Sequence, residues 1–233
     1  MIYRPKGRAG EYAKYALNIY NGCDHSCTYC YAPAVLRMSS NDFARPKAKK
    51  DLLKKVEQSA RQTKTTEPIL LCFTCDPYQL LDETTGYTRE VIKILKRHGL
   101  SFQVLTKGGS RALRDIDLYT DGDLFGTTLT LINDHYTKQI EPRTALPQDR
   151  IDTIKTFHKK GIFTWISLEP VLNPISTLRL IEKTHSFVDL YKVGTLNYQE
   201  SNTDWKKFHK DVTSLLSSLG ASYYVKKDLL DKI

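Results

Sequence analysis

The chain has 233 residues, 40% hydrophobic and 26% charged, and its 35 Lys and Arg against 26 Asp and Glu give a formal net charge of +9. Such a length buries one full core, and the basic surplus favours a polyanionic partner such as nucleic acid over a neutral small molecule. No apolar run reaches the ~18 residues of a membrane span, and Met1 to Gly10 lacks the apolar centre of a signal peptide, so the chain is expected to be cytoplasmic with no membrane association.

In chain order, YALNIY (Tyr15 to Tyr20) reads as a short strand running into a cysteine-rich loop. Lys47 to Gln62 reads as a helix with Leu52, Leu53, Val56 and Ala60 on one face, followed by the apolar strand PILLCFT (Pro68 to Thr74). A helix from Thr88 to His98, carrying Val91, Ile92 and Leu95, stops at Gly99 before the strand SFQVLT (Ser101 to Thr106). Next come a strand in Asp123 to Ile132, a helix from Pro147 to Lys160 stopped by Gly161, and strands Ile162 to Leu168 and Val188 to Val193. Trp205, Phe208, Val212, Leu215, Leu216 and Leu219 form the stripe of a final helix ended by Gly220, which reads as core packing. Strand and helix in alternation imply a parallel sheet, because each right-handed crossover needs a helix to return the chain. The expected fold is therefore α/β, with six β/α units forming an incomplete barrel or an open sheet. One domain spans 1-233, with a core of about 14-198 and a C-terminal helix and strand at 201-226 packed on it. Ligands gather at the carboxyl ends of such strands.

The loop NGCDHSCTYCYAP lies at such an end. Cys23, Cys27 and Cys30 are spaced C-x3-C-x2-C, close enough for three thiolates to hold one inorganic centre. Three protein ligands on a four-iron cluster leave one iron open to substrate or cofactor, whereas a fourth thiolate would saturate it. Structural zinc is the competing reading, since Cys27-x2-Cys30 and Cys72-x2-Cys75 make a four-thiolate set, but that arrangement strands Cys23. A thioredoxin-like pair fits less well, because neither C-x2-C opens a helix in the required way.

The cysteine segment, with an aromatic residue before the last cysteine, resembles the signature of radical S-adenosylmethionine (radical SAM) enzymes. CFTCDPYQ (Cys72 to Gln79), TKG (Thr106 to Gly108), TTLT (Thr127 to Thr130), IEPRTALPQDRI (Ile140 to Ile151) and KVGTLNY (Lys192 to Tyr198) are similar, in the same order, to segments of the spore photoproduct lyase-like branch. ISLEPVL (Ile166 to Leu172) also resembles a related group often carried by bacteriophages. The resemblance implies a partial (β/α)6 TIM-type barrel, a 4Fe-4S cluster held by Cys23, Cys27 and Cys30, and S-adenosylmethionine on the open iron. It also implies an external electron donor, a reductase or a flavodoxin-type protein. Cleavage of the sulfonium by the reduced cluster would yield a 5'-deoxyadenosyl radical able to take hydrogen from an unactivated carbon.

Carried over residue by residue, Tyr29 lies beside the adenine, and Thr74, Cys75 and Asp76 meet the cofactor's amino group. Lys107 and Thr128 lie near its carboxylate and ribose. In the lyases a thiol returns hydrogen to the thymine product from a position two residues before the match of Cys75; here that position is Phe73. Cys75 is the candidate to take over that catalytic role, while Cys72 is expected on the strand face opposite Phe73. The basic sets Arg45, Lys47, Lys49, Lys50, Lys54, Lys55 and Lys206, Lys207, Lys210 can match phosphates, and Tyr78, Tyr87 and Tyr136 read either as stacking platforms for a base or as core tyrosines. The resulting expectation is radical chemistry on a thymine-derived carbon in DNA, as hypermodification or isomerisation. Alternatives are lyase-like DNA repair, radical chemistry on a peptide or small metabolite, and a zinc-stabilised nucleic-acid binding module.

Overall fold

A computed structural model describes residues 1–197 and 199–233; Tyr198, the last residue of the KVGTLNY segment, lies outside the described residues. Seven strands form one sheet: β1 (Tyr15–Leu17), β4 (Ile69–Leu71), β5 (Phe102–Thr106), β6 (Leu124–Thr128), β7 (Phe163–Leu168), β8 (Leu190–Val193) and β9 (Tyr223–Val225). Their order in the sheet is their order in the chain, and every neighbouring pair is parallel. β1 and β9 do not pair with each other, so the barrel is partial. Six β/α units were expected; β9 adds a seventh strand at the far edge. At the near edge, Tyr3 bridges Ala16 in antiparallel fashion and covers β1. The fold class is α/β, as the alternation implied, in the partial-barrel form that the resemblance implied.

The strands alternate as their period of two requires. Leu17, Ile69, Leu71, Phe102 and Val104 face the outer helices, with Val56, Ile92, Leu95 and Phe157 among the residues of that core. Phe125 and Phe157 stack there with ring centroids 3.7 Å apart. Ala16, Leu70 and Trp165 turn to the inside of the barrel, joined by Tyr12. Trp165 lies over its strand partner Gly126, where an added Cβ would sit 2.2 Å from Cε2 of the indole. Gly126→Ala is accordingly expected to destabilise the fold by about 1–3 kcal/mol, the usual cost of overpacking, seen as a lower midpoint in urea denaturation. An unchanged midpoint would show that the indole can move aside.

Several element boundaries differ from expectation for local reasons. YALNIY splits, because Tyr20 and Asn21 leave the sheet as β2 (Tyr20–Asn21) and pair antiparallel with β3 (Lys47–Ala48). That pairing also delays the next helix, which runs Leu52–Gln62 rather than from Lys47. The strand expected through Thr74 ends at Leu71, since the amides of Phe73 and Thr74 are taken by Asn18 Oδ1 at 2.7 and 2.9 Å instead of by a neighbouring strand. The expected helices over 88–98 and 147–160 occupy Tyr87–Arg97 and Pro147–Lys159. The final helix, Trp205–Ser218, buries Trp205, Phe208, Val212 and Leu216. A helix at Pro174–Thr184, capped by the Asn173 side chain, lay outside the sequence reading. Among the described residues no helix is long and apolar enough to cross a membrane.

Candidate active site

The cysteine loop leaves the β1 edge of the sheet and is tied to three other segments. Gly22 adopts φ +91°, where a Cβ would come within 2.5 Å of the Phe43 carbonyl oxygen, and that carbonyl accepts from the Cys23 amide at 2.8 Å. The side chain of Asp24 accepts from the amides of Leu80 and Leu81 at 3.2 and 3.0 Å, capping the start of the helix Leu80–Thr85. The Thr28 amide donates to the Ile140 carbonyl at 2.9 Å, and the Cys30 amide folds back onto the Cys27 carbonyl at 3.1 Å. These bonds fix the backbone on which three free thiols stand.

Cys23, Cys27 and Cys30 open into one cavity of about 530 Å³ at the carboxyl ends of the strands, and the other six candidate residues border the same cavity. Burial raises the pKa of all three thiols, that of Cys27 to about 12. Tyr29 turns its hydroxyl onto Glu141 Oε1, while the Lys107 ammonium stands 5.7 Å from the centre of its ring. Thr128, at the end of β6, is buried and gives its carbonyl to Arg150 Nη1 at 3.0 Å. Thr74 is half-buried on the cavity wall.

Asp76 is more committed than the sequence suggested. Its Oδ1 accepts from the Tyr78 amide at 2.8 Å and from Thr106 Oγ1 at 2.6 Å; its Oδ2 accepts from the Lys107 amide at 2.7 Å and faces His25 Nδ1 at 3.4 Å. A carboxylate offers about four lone-pair sites, so these contacts fill them. Burial works against the charge, but His25 and the three donors outweigh it and hold the Asp76 carboxyl below its ordinary pKa. For His25, burial dominates and lowers its pKa to about 4. Asp76 therefore anchors the Lys107 backbone.

The second cysteine pair also takes shape. Cys72 joins the main core, whereas Phe73 packs at the barrel interior against Tyr12, with ring centroids 5.8 Å apart, as the opposite-face expectation required. Cys75 borders the cavity beside Cys23 and Cys30. Among the described residues, no three His, Cys, Asp or Glu side chains are placed to hold a single metal ion, so the four-thiolate zinc set is not assembled. A four-iron cluster presents separate irons to separate thiolates, so its ligands need not meet at one point; three thiols on a fixed loop beside a cavity suit it.

Three features escaped the sequence reading. Behind Tyr29, Glu141 also accepts from Arg150 Nη2 at 2.5 Å and Thr130 Oγ1 at 3.0 Å, a fully buried pair that ties the cysteine loop to β6. Asn18 holds the turn after β4, as described above. Across the cavity, Tyr12, Ser167, Glu169, Asn197 and Lys226 form a polar wall. Only Glu169 carried a signal, a charged residue at the carboxyl end of a barrel strand. Of the three tyrosines offered as stacking platforms, Tyr78 is fully buried with its hydroxyl on Asp115 at 3.1 Å, because it seats the turn after Asp76, and cannot meet a base. Tyr87 is half-buried against the core, and Tyr136 is exposed.

A family model for the radical SAM superfamily matches residues 17–188, taking in the cysteine loop and four of the seven sheet strands in full. The chain belongs to the radical SAM superfamily. As a radical SAM enzyme it uses a 4Fe-4S cluster and S-adenosylmethionine. A protein of Methanocaldococcus jannaschii, itself uncharacterised, is 28% identical over 193 residues, covering 81% of this chain and 73% of that protein. Spore photoproduct lyase shares the fold, with a TM-score of 0.72 at 12% identity over 97% of this chain and 78% of the lyase. Streptococcus suis SuiB, also solved with S-adenosylmethionine bound, has a TM-score of 0.68 at 12% identity over 91% of this chain. The chain spans about half the length of SuiB, 49%.

Proposed function

We propose that this radical SAM enzyme acts on a nucleic-acid base, with a thymine-derived carbon in DNA as the target and modification or rearrangement as the outcome. The observation that supports the radical machinery is the meeting of nine candidate residues from the cysteine loop, the turn after β4, and the ends of β5 and β6 at one cavity. Cys23, Cys27 and Cys30 would hold the cluster. When bound, cluster and S-adenosylmethionine together supply a 5'-deoxyadenosyl radical that removes hydrogen from carbon.

The chain's own residues position and shield that chemistry. Tyr29 is oriented by Glu141 and would flank the adenine, Lys107 would face the carboxylate, and Thr74 and Thr128 would line the remaining edges. Asp76 fixes the Lys107 backbone. Cys75, a thiol on the cavity wall, would return a hydrogen atom where Phe73 cannot. Lys107→Met is expected to weaken S-adenosylmethionine binding about tenfold, the scale of one charge-assisted bond, with cluster iron content unchanged. Equal affinity in an equilibrium binding assay would remove Lys107 from the cofactor site.

The nucleic-acid substrate is favoured by the charge near the cavity. Arg45, Lys47 and Lys50 are exposed on the segment that follows Phe43, whose carbonyl holds Cys23 and whose ring borders the cavity. Lys54 and Lys55 extend this basic surface along the helix Leu52–Gln62. The test is incubation of reduced holoenzyme and S-adenosylmethionine with DNA carrying deuterated thymine. Deuterium in 5'-deoxyadenosine and a mass change in a nucleoside are expected. Transfer from no DNA, single- or double-stranded, would eliminate this substrate class.

A further inference from the structure

The cavity has two halves. One carries the cysteines and their neighbours; the wall opposite is built by the carboxyl end of β7, the segment after β8 and the residue that follows β9. Its centre is an ion pair between Glu169 and Lys226, with side chains only 12% and 3% exposed. Glu169 Oε2 also accepts from Tyr12 Oη at 2.5 Å, and Oε1 accepts from Asn197 Nδ2 at 2.7 Å. Tyr12 has one hydroxyl proton, spent on Glu169, so Ser167 Oγ, 2.8 Å away, donates to Tyr12 and keeps its lone pairs. Asn197 gives its other N–H to Asp228 Oδ2 at 2.7 Å and is saturated as a donor.

Counting what remains identifies the chemistry left open. Among the described residues, Lys226 has three N–H donors and one acceptor partner, Glu169; the Tyr12 ring lies 4.5 Å away on another side. Glu169 has three of about four lone-pair sites filled by described residues. A buried ammonium with unused donors is costly unless a further polar group meets it. Both side chains border the cavity, so that group can come from a ligand. Open donors of Lys226 beside an open acceptor site on Glu169 match an edge that presents an N–H next to a carbonyl, as thymine does with N3–H and O4. Lys6 stands exposed at the rim of this same half, where an anion attached to that ligand would lie, and beside it Arg8 Nη1 donates to Asn197 Oδ1 at 2.6 Å.

We propose that this half of the cavity is the substrate subsite and takes a nucleotide unit, with Glu169 and Lys226 meeting the base edge and Lys6 its phosphate. The assignment rests on the nucleic-acid reading above and gives it a specific contact surface. Glu169 is held above its ordinary pKa, chiefly by burial, which makes the Lys226 partner necessary for its charge.

The experiment measures binding by anaerobic holoenzyme with S-adenosylmethionine of a labelled short oligothymidine and of an abasic phosphodiester chain of equal length. Wild type is expected to prefer the oligothymidine about tenfold, the scale of one good base contact. The double variant Glu169→Gln/Lys226→Met keeps the volume and removes both charges, so neither member of the pair is left as a buried charge without the other. It is expected to bind the two chains alike, at the wild-type abasic level, with the S-adenosylmethionine-induced change in the cluster spectrum intact. Lys6→Ala should weaken both chains equally and reduce the salt slope by about one ion. A double variant that retains the base preference, or a wild type without one, overturns the subsite and leaves the nucleic-acid reading standing. A wild type that binds neither chain overturns that reading, and the subsite with it.

Discussion

Alanine at any one of Cys23, Cys27 or Cys30 is expected to give a folded protein that holds little or no four-iron cluster and forms 5'-deoxyadenosine only at the level of an enzyme-free control. The three thiols come from one loop, so losing one leaves two ligands for four irons. Cys72 and Cys75 border the same cavity but are not on that loop: Cys72 belongs to the core, and Cys75 stands on the turn after β4 whose amides Asn18 holds. Folding should survive, because the loop backbone is held by bonds that do not involve sulfur: Cys23 amide to Phe43, Asp24 to Leu80 and Leu81, and Thr28 to Ile140. Iron analysis, visible absorption and circular dichroism on the three variants read both halves of the expectation. A variant with full iron and wild-type 5'-deoxyadenosine yield would mean that the ligand set lies elsewhere. Cys75→Ala provides the contrast, with the cluster expected intact and hydrogen return impaired.

The second large effect is expected at Glu141. Burial alone would raise the pKa of this carboxyl, but Arg150 and Lys107, with the Tyr29 hydroxyl and the Arg150 guanidinium as donors, hold it down to about 2. A folded-state pKa below the unfolded one makes the group stabilising above the ordinary carboxylate range. That stability is lost as pH falls through the interval from there to about 2. Glu141→Gln leaves the Arg150 guanidinium buried without its countercharge, a loss of about 3–5 kcal/mol by urea denaturation at neutral pH. The double variant Glu141→Gln/Arg150→Met should recover much of it, because removing both charges removes the unpaired one. The same single variant replaces the charged acceptor that orients Tyr29 with a neutral one, so S-adenosylmethionine affinity should fall with stability. A Glu141→Gln protein as stable as wild type would show that water or another side chain takes over the guanidinium.

The alternation of apolar strands and amphipathic helices made the parallel α/β sheet legible, since each element buries a face whose period is written in its residues; the choice of a partial barrel over an open sheet came from the resemblance. Boundaries were less legible where side chains replace strand partners, as Asn18 does after β4, or where two residues leave the sheet, as Tyr20 and Asn21 do. Local spacing exposed the cysteine loop, and the resemblance of short segments brought Lys107 and Thr128 to the same cavity. Contacts joining distant segments left no local pattern: Glu141 with Tyr29 lies 112 residues apart, and Lys226 with Glu169 lies 57 apart. Tyr78 was misleading for the same reason, because its partner Asp115 sits 37 residues away.

The most direct measurement is electron paramagnetic resonance of the reduced, reconstituted protein with and without S-adenosylmethionine labelled at its amino nitrogen and carboxylate oxygen. A cluster on Cys23, Cys27 and Cys30 with an open iron predicts a changed spectrum and hyperfine coupling to the label. An identical spectrum with and without the compound, at concentrations shown to saturate binding, would contradict the account.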